Sequence, residues 1–135
     1  MKRLKNNYST DSSWRASKSM EVASLFFVDN GYTVAQPRTD DTPADLVVQL
    51  SGQSWQSVQV KTAYKDSNVW VANTSRTKPH GREPYLPGEV DHFLVVVPGK
   101  GLVWLSFDDV AGRSRVRPMS DEFGLKFYRF PGGVE

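Results

Sequence analysis

The apolar positions near the start of the chain recur at helical spacing. A helix is predicted from Trp14 to Asn30, because polar residues suited to helix capping precede it and Asn30-Gly31 supplies a C-terminal stop. The second half of this segment is almost wholly apolar. That pattern predicts a helix packed on a sheet and largely covered.

The later apolar segments have the length and composition of β-strands. Strands are predicted at Tyr32–Gln36, Leu46–Leu50, Trp55–Ala63, Val69–Ala72, His92–Val97 and Leu102–Leu105. A short helix is predicted at Asp109–Ala111, and Leu125–Phe130 is predicted either as an edge strand or as packed aromatic residues. Between Asn73 and Gly88 no period is visible, which predicts a long loop. The order of elements indicates an α/β domain with a mixed central β-sheet flanked by helices.

Length and composition narrow the class of protein. The 135 residues fit one domain spanning residues 1–135, whose polar residues 1–13 are either a flexible basic tail or an arm that contacts phosphate. The chain has no cysteine, which excludes disulfides and thiolate metal sites and fits a cytoplasmic protein. No apolar run approaches the roughly 20 residues that a membrane span requires, so no membrane partner is expected. The net charge of +2 is only mildly basic.

Candidate chemistry lies on two consecutive predicted strands. Side chains alternate between the faces of a strand, so Gln59 and Lys61 point to the same side. Pairing of the two strands as a hairpin brings Asp45 close to them. A carboxylate, an amide oxygen and an ammonium group then meet, which is the layout of a metal-assisted hydrolytic site, since Mg²⁺ prefers oxygen ligands.

Further charged residues stand in the predicted helix and loop. Glu21 lies at the edge of the apolar section of the helix, where it either needs a cation or a metal as partner or reaches solvent beside Arg15 and Lys18. The segment from Arg76 to Arg82 carries four basic or imidazole groups. This segment suits contacts with phosphate, and it equally suits a solvated surface loop.

Four short segments together carry a family resemblance. They are Ser17-Lys18-Ser19-Met20-Glu21, Gly31-Tyr32-Thr33-Val34, Pro43-Ala44-Asp45-Leu46-Val47-Val48 and Val58-Gln59-Val60-Lys61-Thr62-Ala63. With them the chain resembles the PD-(D/E)XK nuclease superfamily, in the branch of group I intron-associated homing endonucleases and near the archaeal-type Holliday junction resolvases. The resemblance covers about Ser17 to Tyr64 and implies a restriction-endonuclease-like core.

The resemblance also implies roles for individual residues. Glu21 matches the helix glutamate of the family, Asp45 its metal-binding aspartate and Lys61 its catalytic lysine. Gln59 stands where most members carry Asp or Glu. A Gln at this place resembles what the homing-endonuclease branch shows, and it keeps a carbonyl oxygen that can bind a metal. Ala44 separates the proline from the aspartate of the motif.

The implied activity is metal-dependent hydrolysis of DNA, most simply by a site-specific homing-type endonuclease. Asp45 is the expected main Mg²⁺ ligand, with Mn²⁺ as a substitute; Gln59 is a second ligand, Glu21 a further ligand or a holder of water, and Lys61 activates water or stabilises charge. The alternatives are a structure-specific Holliday junction resolvase, a catalytically inactive DNA-binding module and a protein-interaction domain.

The expected partners are double-stranded DNA and further copies of the chain. Contacts with DNA phosphates are expected from Arg15 and Lys18 near the site and from Arg76, Lys78 and Arg82 in the predicted loop. The resemblance implies a homodimer or homotetramer, because small nucleases of this kind do not cut both strands from one site. A phage or a mobile element is the setting that suits the family.

Overall fold

The computed structural model of the protein describes residues 11–39 and 42–131. In chain order its helices and strands are α1 (Asp11–Asp29), β1 (Tyr32–Ala35), β2 (Leu46–Leu50), β3 (Gln56–Thr62), β4 (Tyr64–Asp66), β5 (Val69–Asn73), β6 (Ser75–Lys78), β7 (Gly81–Pro84), β8 (His92–Val97), β9 (Gly101–Ser106), α2 (Phe107–Val110), β10 (Arg115–Val116), a 3-10 helix (Asp121–Lys126) and β11 (Phe127–Arg129). Helix α1 begins at Asp11, earlier than the predicted Trp14. Residues 1–10 of the predicted basic tail lie outside the described part of the chain.

A mixed six-stranded sheet in the order β1-β2-β3-β8-β9-β11 forms the centre of the fold. Strands β3 and β8 pair in parallel, with Val58 opposite His92, and the other neighbours in this sheet are antiparallel. Strands β2 and β3 form the predicted hairpin, with Leu46 opposite Val58. Strand β11 pairs with β9 at the edge, so this part of the C-terminal segment is a strand. The predicted fold class is confirmed.

Each face of the sheet carries its own apolar core. On one face, Ala23 and Phe27 of α1 are fully buried in a cluster with Leu46, Val58 and Leu94. On the other face, apolar residues of β8 and β9 pack with Tyr85, with the three-stranded sheet β10-β5-β4 and with the 3-10 helix. Burying both faces leaves the edges of the sheet and its strand ends for polar groups.

The prediction that α1 is largely covered is wrong. Leu25 and Val28 have 60% and 56% of their surface exposed, whereas Phe27 between them is fully buried. Successive helical residues are about 100° apart, so a continuous apolar run also supplies the outer side of a helix that packs on one face only. No helix among residues 11–39 and 42–131 is long and apolar enough to span a membrane.

The prediction of a long loop from Asn73 to Gly88 is also wrong. Strands β6 and β7 form an antiparallel hairpin in which Ser75 pairs with Pro84 and Lys78 with Gly81. The hairpin is short and largely polar, so its strands carry no apolar alternation by which a strand is recognised. The backbone hydrogen bonds of the hairpin stabilise it instead.

Candidate active site

Asp45 is fixed by the backbone of the neighbouring strand. Its amide N–H donates to the carbonyl oxygen of Val58 over 2.9 Å, and the amide of Val60 donates to its Oδ2 over 2.8 Å. Val58 and Val60 are the two neighbours of Gln59 in β3, so these hydrogen bonds hold the Asp45 carboxylate beside the glutamine. The register of this hairpin thus brings together the two residues that its sequence predicts to be close.

Asp45 and Gln59 line an open cavity of about 580 Å³. Its wall consists of Met20, Gln36, Pro37, Thr39, Thr42, Pro43, Ala44, Asp45, Gln59, Arg76 and Tyr85. The side-chain oxygen Oε1 of Gln59 is buried and accepts no hydrogen bond from the residues that the structure describes. A buried acceptor without a donor costs about 1–3 kcal/mol, so this oxygen is suited to receive a cation or a donor from a ligand.

Lys61 lies on the same face of β3 as Gln59, and it is partly buried beside Asp45. Burial lowers the pKa of the Lys61 ammonium, the Asp45 carboxylate opposes this effect and the positive charge of Arg82 adds to it. Burial likewise raises the pKa of the Asp45 carboxyl, and the Val60 N–H and the Lys61 charge oppose that rise. Both groups therefore titrate closer to neutrality than their exposed counterparts, which suits groups that handle protons or bind a cation.

Two residues in or next to the second hairpin, which is formed by β6 and β7, complete the wall of the cavity. Arg76 of β6 donates from Nη2 to both carboxylate oxygens of Glu89, over 2.7 and 2.9 Å. Tyr85, just after β7, is buried, and its hydroxyl accepts a hydrogen bond from Nζ of Lys61 over 3.2 Å. The sequence prediction assigned no site role to Tyr85 or Glu89, because their contacts with Lys61 and Arg76 depend on how the polar hairpin folds back onto β3.

Glu21 is not among the residues that line the cavity. It is exposed on α1, and the neighbouring Met20 lines the cavity in its stead. Of the two alternatives that the sequence leaves open for Glu21, the structure agrees with the one in which its side chain reaches solvent. The same helix is held to the sheet nearby by Thr62, whose Oγ1 donates to the buried Ser19 Oγ over 2.7 Å.

The predicted DNA-contacting residues fall into three groups. Arg15 and Lys18 line a separate groove between α1 and residues such as Trp70 and are not among the residues that line the cavity. Arg76 lines the cavity, and Arg82 is exposed but its charge acts on both Lys61 and Tyr85. The side chain of Lys78 lies outside the part of the chain that the structure describes.

Within the described residues, no three His, Cys, Asp or Glu side chains cluster as a metal-binding group. The available ligands at the cavity are one carboxylate and one amide oxygen, from Asp45 and Gln59. Mg²⁺ is bound in proteins by as few as one or two carboxylates with water and substrate phosphate in the remaining positions. The donor set and the orphaned oxygen of Gln59 therefore fit a hydrated divalent cation.

Comparisons with known proteins identify the family and the fold. Protein 5.3 of Escherichia phage T7 is 36% identical over 101 residues, which cover 74% of this chain and 84% of that protein. The solved structure of a bacterial homing endonuclease, I-Ssp6803I, superposes with a TM-score of 0.71 at 19% identity, covering 92% of this chain and 86% of the other, and shows the same fold. Residues 11–117 match the family described as PD-(D/E)XK endonuclease. The chain belongs to the PD-(D/E)XK endonuclease family.

Proposed function

We propose that the protein is a divalent-metal-dependent DNA endonuclease whose site is built on Asp45, Gln59 and Lys61. The observation that carries this proposal is the buried oxygen of Gln59, which has no donor within the described residues and lies in the same cavity as the Asp45 carboxylate. Mg²⁺ is the proposed ion and Mn²⁺ its substitute, because both prefer the oxygen ligands that the cavity offers.

A bound divalent cation supplies positive charge to the phosphate and acidifies water. Asp45 and Gln59 would hold it, and the hydrogen bond from the Val60 amide keeps the Asp45 carboxylate in place. Lys61 then either takes a proton from the attacking water or sets its positive charge against the phosphate. Its burial favours the first role, since it lowers the pKa of the amine.

The proposed DNA contacts are made by the second hairpin. Arg76 at the cavity wall and Arg82 nearby supply positive charge for backbone phosphates, which positions DNA without reading its sequence. Arg15 and Lys18 lie in another groove, so they contact DNA only where the duplex extends around α1. Glu21 receives no role at the metal in this proposal, because its side chain is exposed and does not line the cavity.

The proposed substrate is plain double-stranded DNA cut at a specific site, as by a homing endonuclease. Support comes from the shared fold with I-Ssp6803I, a homing endonuclease by name, and from the identity with a phage protein, which suits a phage or mobile-element setting inside the cell. One site per chain serves one strand, so a homodimer or homotetramer is part of the proposal. A junction resolvase and an inactive DNA-binding module are outcomes that the experiments distinguish.

The test is cleavage of supercoiled plasmid and of a four-way junction with Mg²⁺ or Mn²⁺. We expect metal-dependent cutting that EDTA stops and that falls at least about 100-fold in Asp45→Ala and in Lys61→Ala. Cutting confined to the branch of the junction would instead identify a resolvase. Salt-dependent DNA binding that survives Lys61→Ala, with no cutting of a genomic library in either metal, would identify the inactive module and overturn the proposal.

A further inference from the structure

Tyr85 is a rigid part of the cavity wall. Only 8% of its surface is exposed, and its ring meets the ring of Phe93 edge to face, with the centroids 5.5 Å apart. Phe93 is itself fully buried near the start of β8. Because the ring is packed against a central strand, Tyr85 offers a fixed reference point to any flexible side chain that contacts it.

Lys61 makes two contacts with this fixed ring. Its Nζ donates to the Tyr85 hydroxyl over 3.2 Å and lies 5.2 Å from the centroid of the ring. A lysine side chain carries about 2 kcal/mol of rotamer entropy, so an ammonium without such a partner occupies many positions. The hydroxyl and the ring together select one of them.

Arg76 approaches the same ring from the second hairpin. Its guanidinium carbon lies 5.2 Å from the Tyr85 centroid, while Glu89 binds its Nη2 with both oxygens. Glu89 is held in turn by the amide of Leu86, which donates to its Oε1 over 2.6 Å. The segment from Tyr85 to Glu89 thus restrains the guanidinium from two sides.

We propose that Tyr85 is a positioning residue of the nuclease site, which holds the Lys61 ammonium and the Arg76 guanidinium at one fixed spacing. The hydroxyl fixes Lys61 beside Asp45, and the ring sets Arg76 relative to it. A phosphodiester backbone then meets an amino group and a guanidinium whose separation is set before it binds, which lowers the cost of ordering them. This inference rests on the proposed function and extends it to a residue that does no chemistry itself.

The first test separates the hydroxyl from the ring. Tyr85→Phe keeps the packing on Phe93 and loses the bond to Lys61, so we expect single-turnover cleavage to slow about tenfold while the Kd for DNA in Ca²⁺ stays within about twofold. Tyr85→Leu also removes the ring, and we expect weaker DNA binding as well. The matched control is Tyr64→Phe, which removes a hydroxyl bonded to Asn73 Oδ1 over 3.2 Å and leaves cleavage unchanged.

A second readout does not depend on activity. In competitive acylation followed by mass spectrometry, Lys61 is compared with the exposed Lys65 in the same sample. We expect the relative labelling of Lys61 to rise about threefold or more in Tyr85→Phe and to stay constant in Tyr64→Phe, because only the former frees the amine.

The two readouts keep the inference separate from the proposed function. If the wild type cuts DNA and Tyr85→Phe cuts equally well, the inference is wrong and the nuclease proposal stands. If the wild type cuts no DNA, the nuclease proposal fails, and the labelling of Lys61 still decides whether Tyr85 holds the amine. Unchanged labelling in Tyr85→Phe overturns the positioning role in either case.

Discussion

The two hairpins at the cavity differ in how their sequences specify them. The hairpin β2–β3 is part of the central sheet, and its strands carry an apolar face, with Leu46 and Val58 fully buried. The hairpin β6–β7 is a separate two-stranded sheet made largely of polar residues. The first is stabilised by burial and presents Asp45, Gln59 and Lys61; the second is stabilised by backbone pairing and ion pairs and presents Arg76.

This difference corresponds to a division of labour in the proposed site. The groups that would hold the metal and handle the proton stand on a strand that cannot shift without opening the core. The groups that would meet the DNA backbone stand on a hairpin bound to the core through Tyr85 and the Arg76–Glu89 pair. Changes in the first hairpin should therefore abolish activity, and changes in the second should weaken binding.

The largest expected effect is on the core that supports the first hairpin. Phe27→Ala removes a fully buried ring that packs in one cluster with Leu46 and Val58. We expect the free energy of unfolding to fall by about 3–5 kcal/mol, measured by urea denaturation. Leu25→Ala, at an exposed position of the same helix, is the control and should cost well under about 1 kcal/mol. Equal losses in the two variants would show that α1 packs in another orientation.

Gln59→Leu, in the first hairpin, should lower the cleavage activity and raise the stability of the metal-free protein. It removes the ligand oxygen and also the buried acceptor that lacks a donor. We expect cleavage to fall about 100-fold while the metal-free protein gains about 1 kcal/mol in the free energy of unfolding. Gln59→Glu should keep cleavage, and Gln49→Leu, elsewhere on the hairpin, should change neither. Cleavage by Gln59→Leu at the wild-type rate would remove Gln59 from the proposed metal site.

Arg76→Ala tests the second hairpin through DNA affinity. We expect the Kd for duplex DNA to rise about tenfold and the slope of log K against log salt to fall by about 1, as for the loss of one phosphate contact. Because the single variant leaves Glu89 without Arg76 beside the site, the double variant with Glu89→Gln is measured with it. Arg113→Ala, which loses an equal charge paired with Glu122, is the control. An unchanged salt slope would contradict the contact.

Glu21→Gln should have the smallest effect of the set. The side chain is exposed and absent from the cavity wall, so we expect cleavage within about twofold of the wild type and unchanged stability. Plasmid cleavage under the conditions used for Asp45→Ala measures this. A loss of activity comparable to that of Asp45→Ala would mean that the helix glutamate acts as the family resemblance implies.

Sequence patterns predict the first hairpin well, because strands that bury one face show apolar residues at regular positions. The apolar runs around Asp45 and Gln59 define two strands, and alternation then fixes which side chains share a face. The family resemblance adds Lys61 and the nature of the chemistry. For this part of the molecule, local pattern and motif point to the same arrangement.

The rest of the site depends on contacts that produce no regular pattern of apolar residues in the sequence. Tyr85 meets Lys61 across 24 positions of sequence, and the pairing of β6 with β7 involves few buried apolar residues. The exposure of Glu21 follows from the rotation of one helix, which an apolar run on all sides does not reveal. Long-range polar contacts and helix rotation are the features that the sequence pattern leaves open.

The central claim is that Asp45 and Gln59 hold a divalent cation. Its most direct test is a titration of the protein with Mn²⁺ in which binding is measured by electron paramagnetic resonance. If Asp45 and Gln59 hold a divalent cation, the wild type binds about one ion per chain at this site, Asp45→Ala loses it, and Gln59→Leu binds it at least about tenfold more weakly. Binding of Mn²⁺ by Asp45→Ala with the affinity and number of ions of the wild type would contradict the claim.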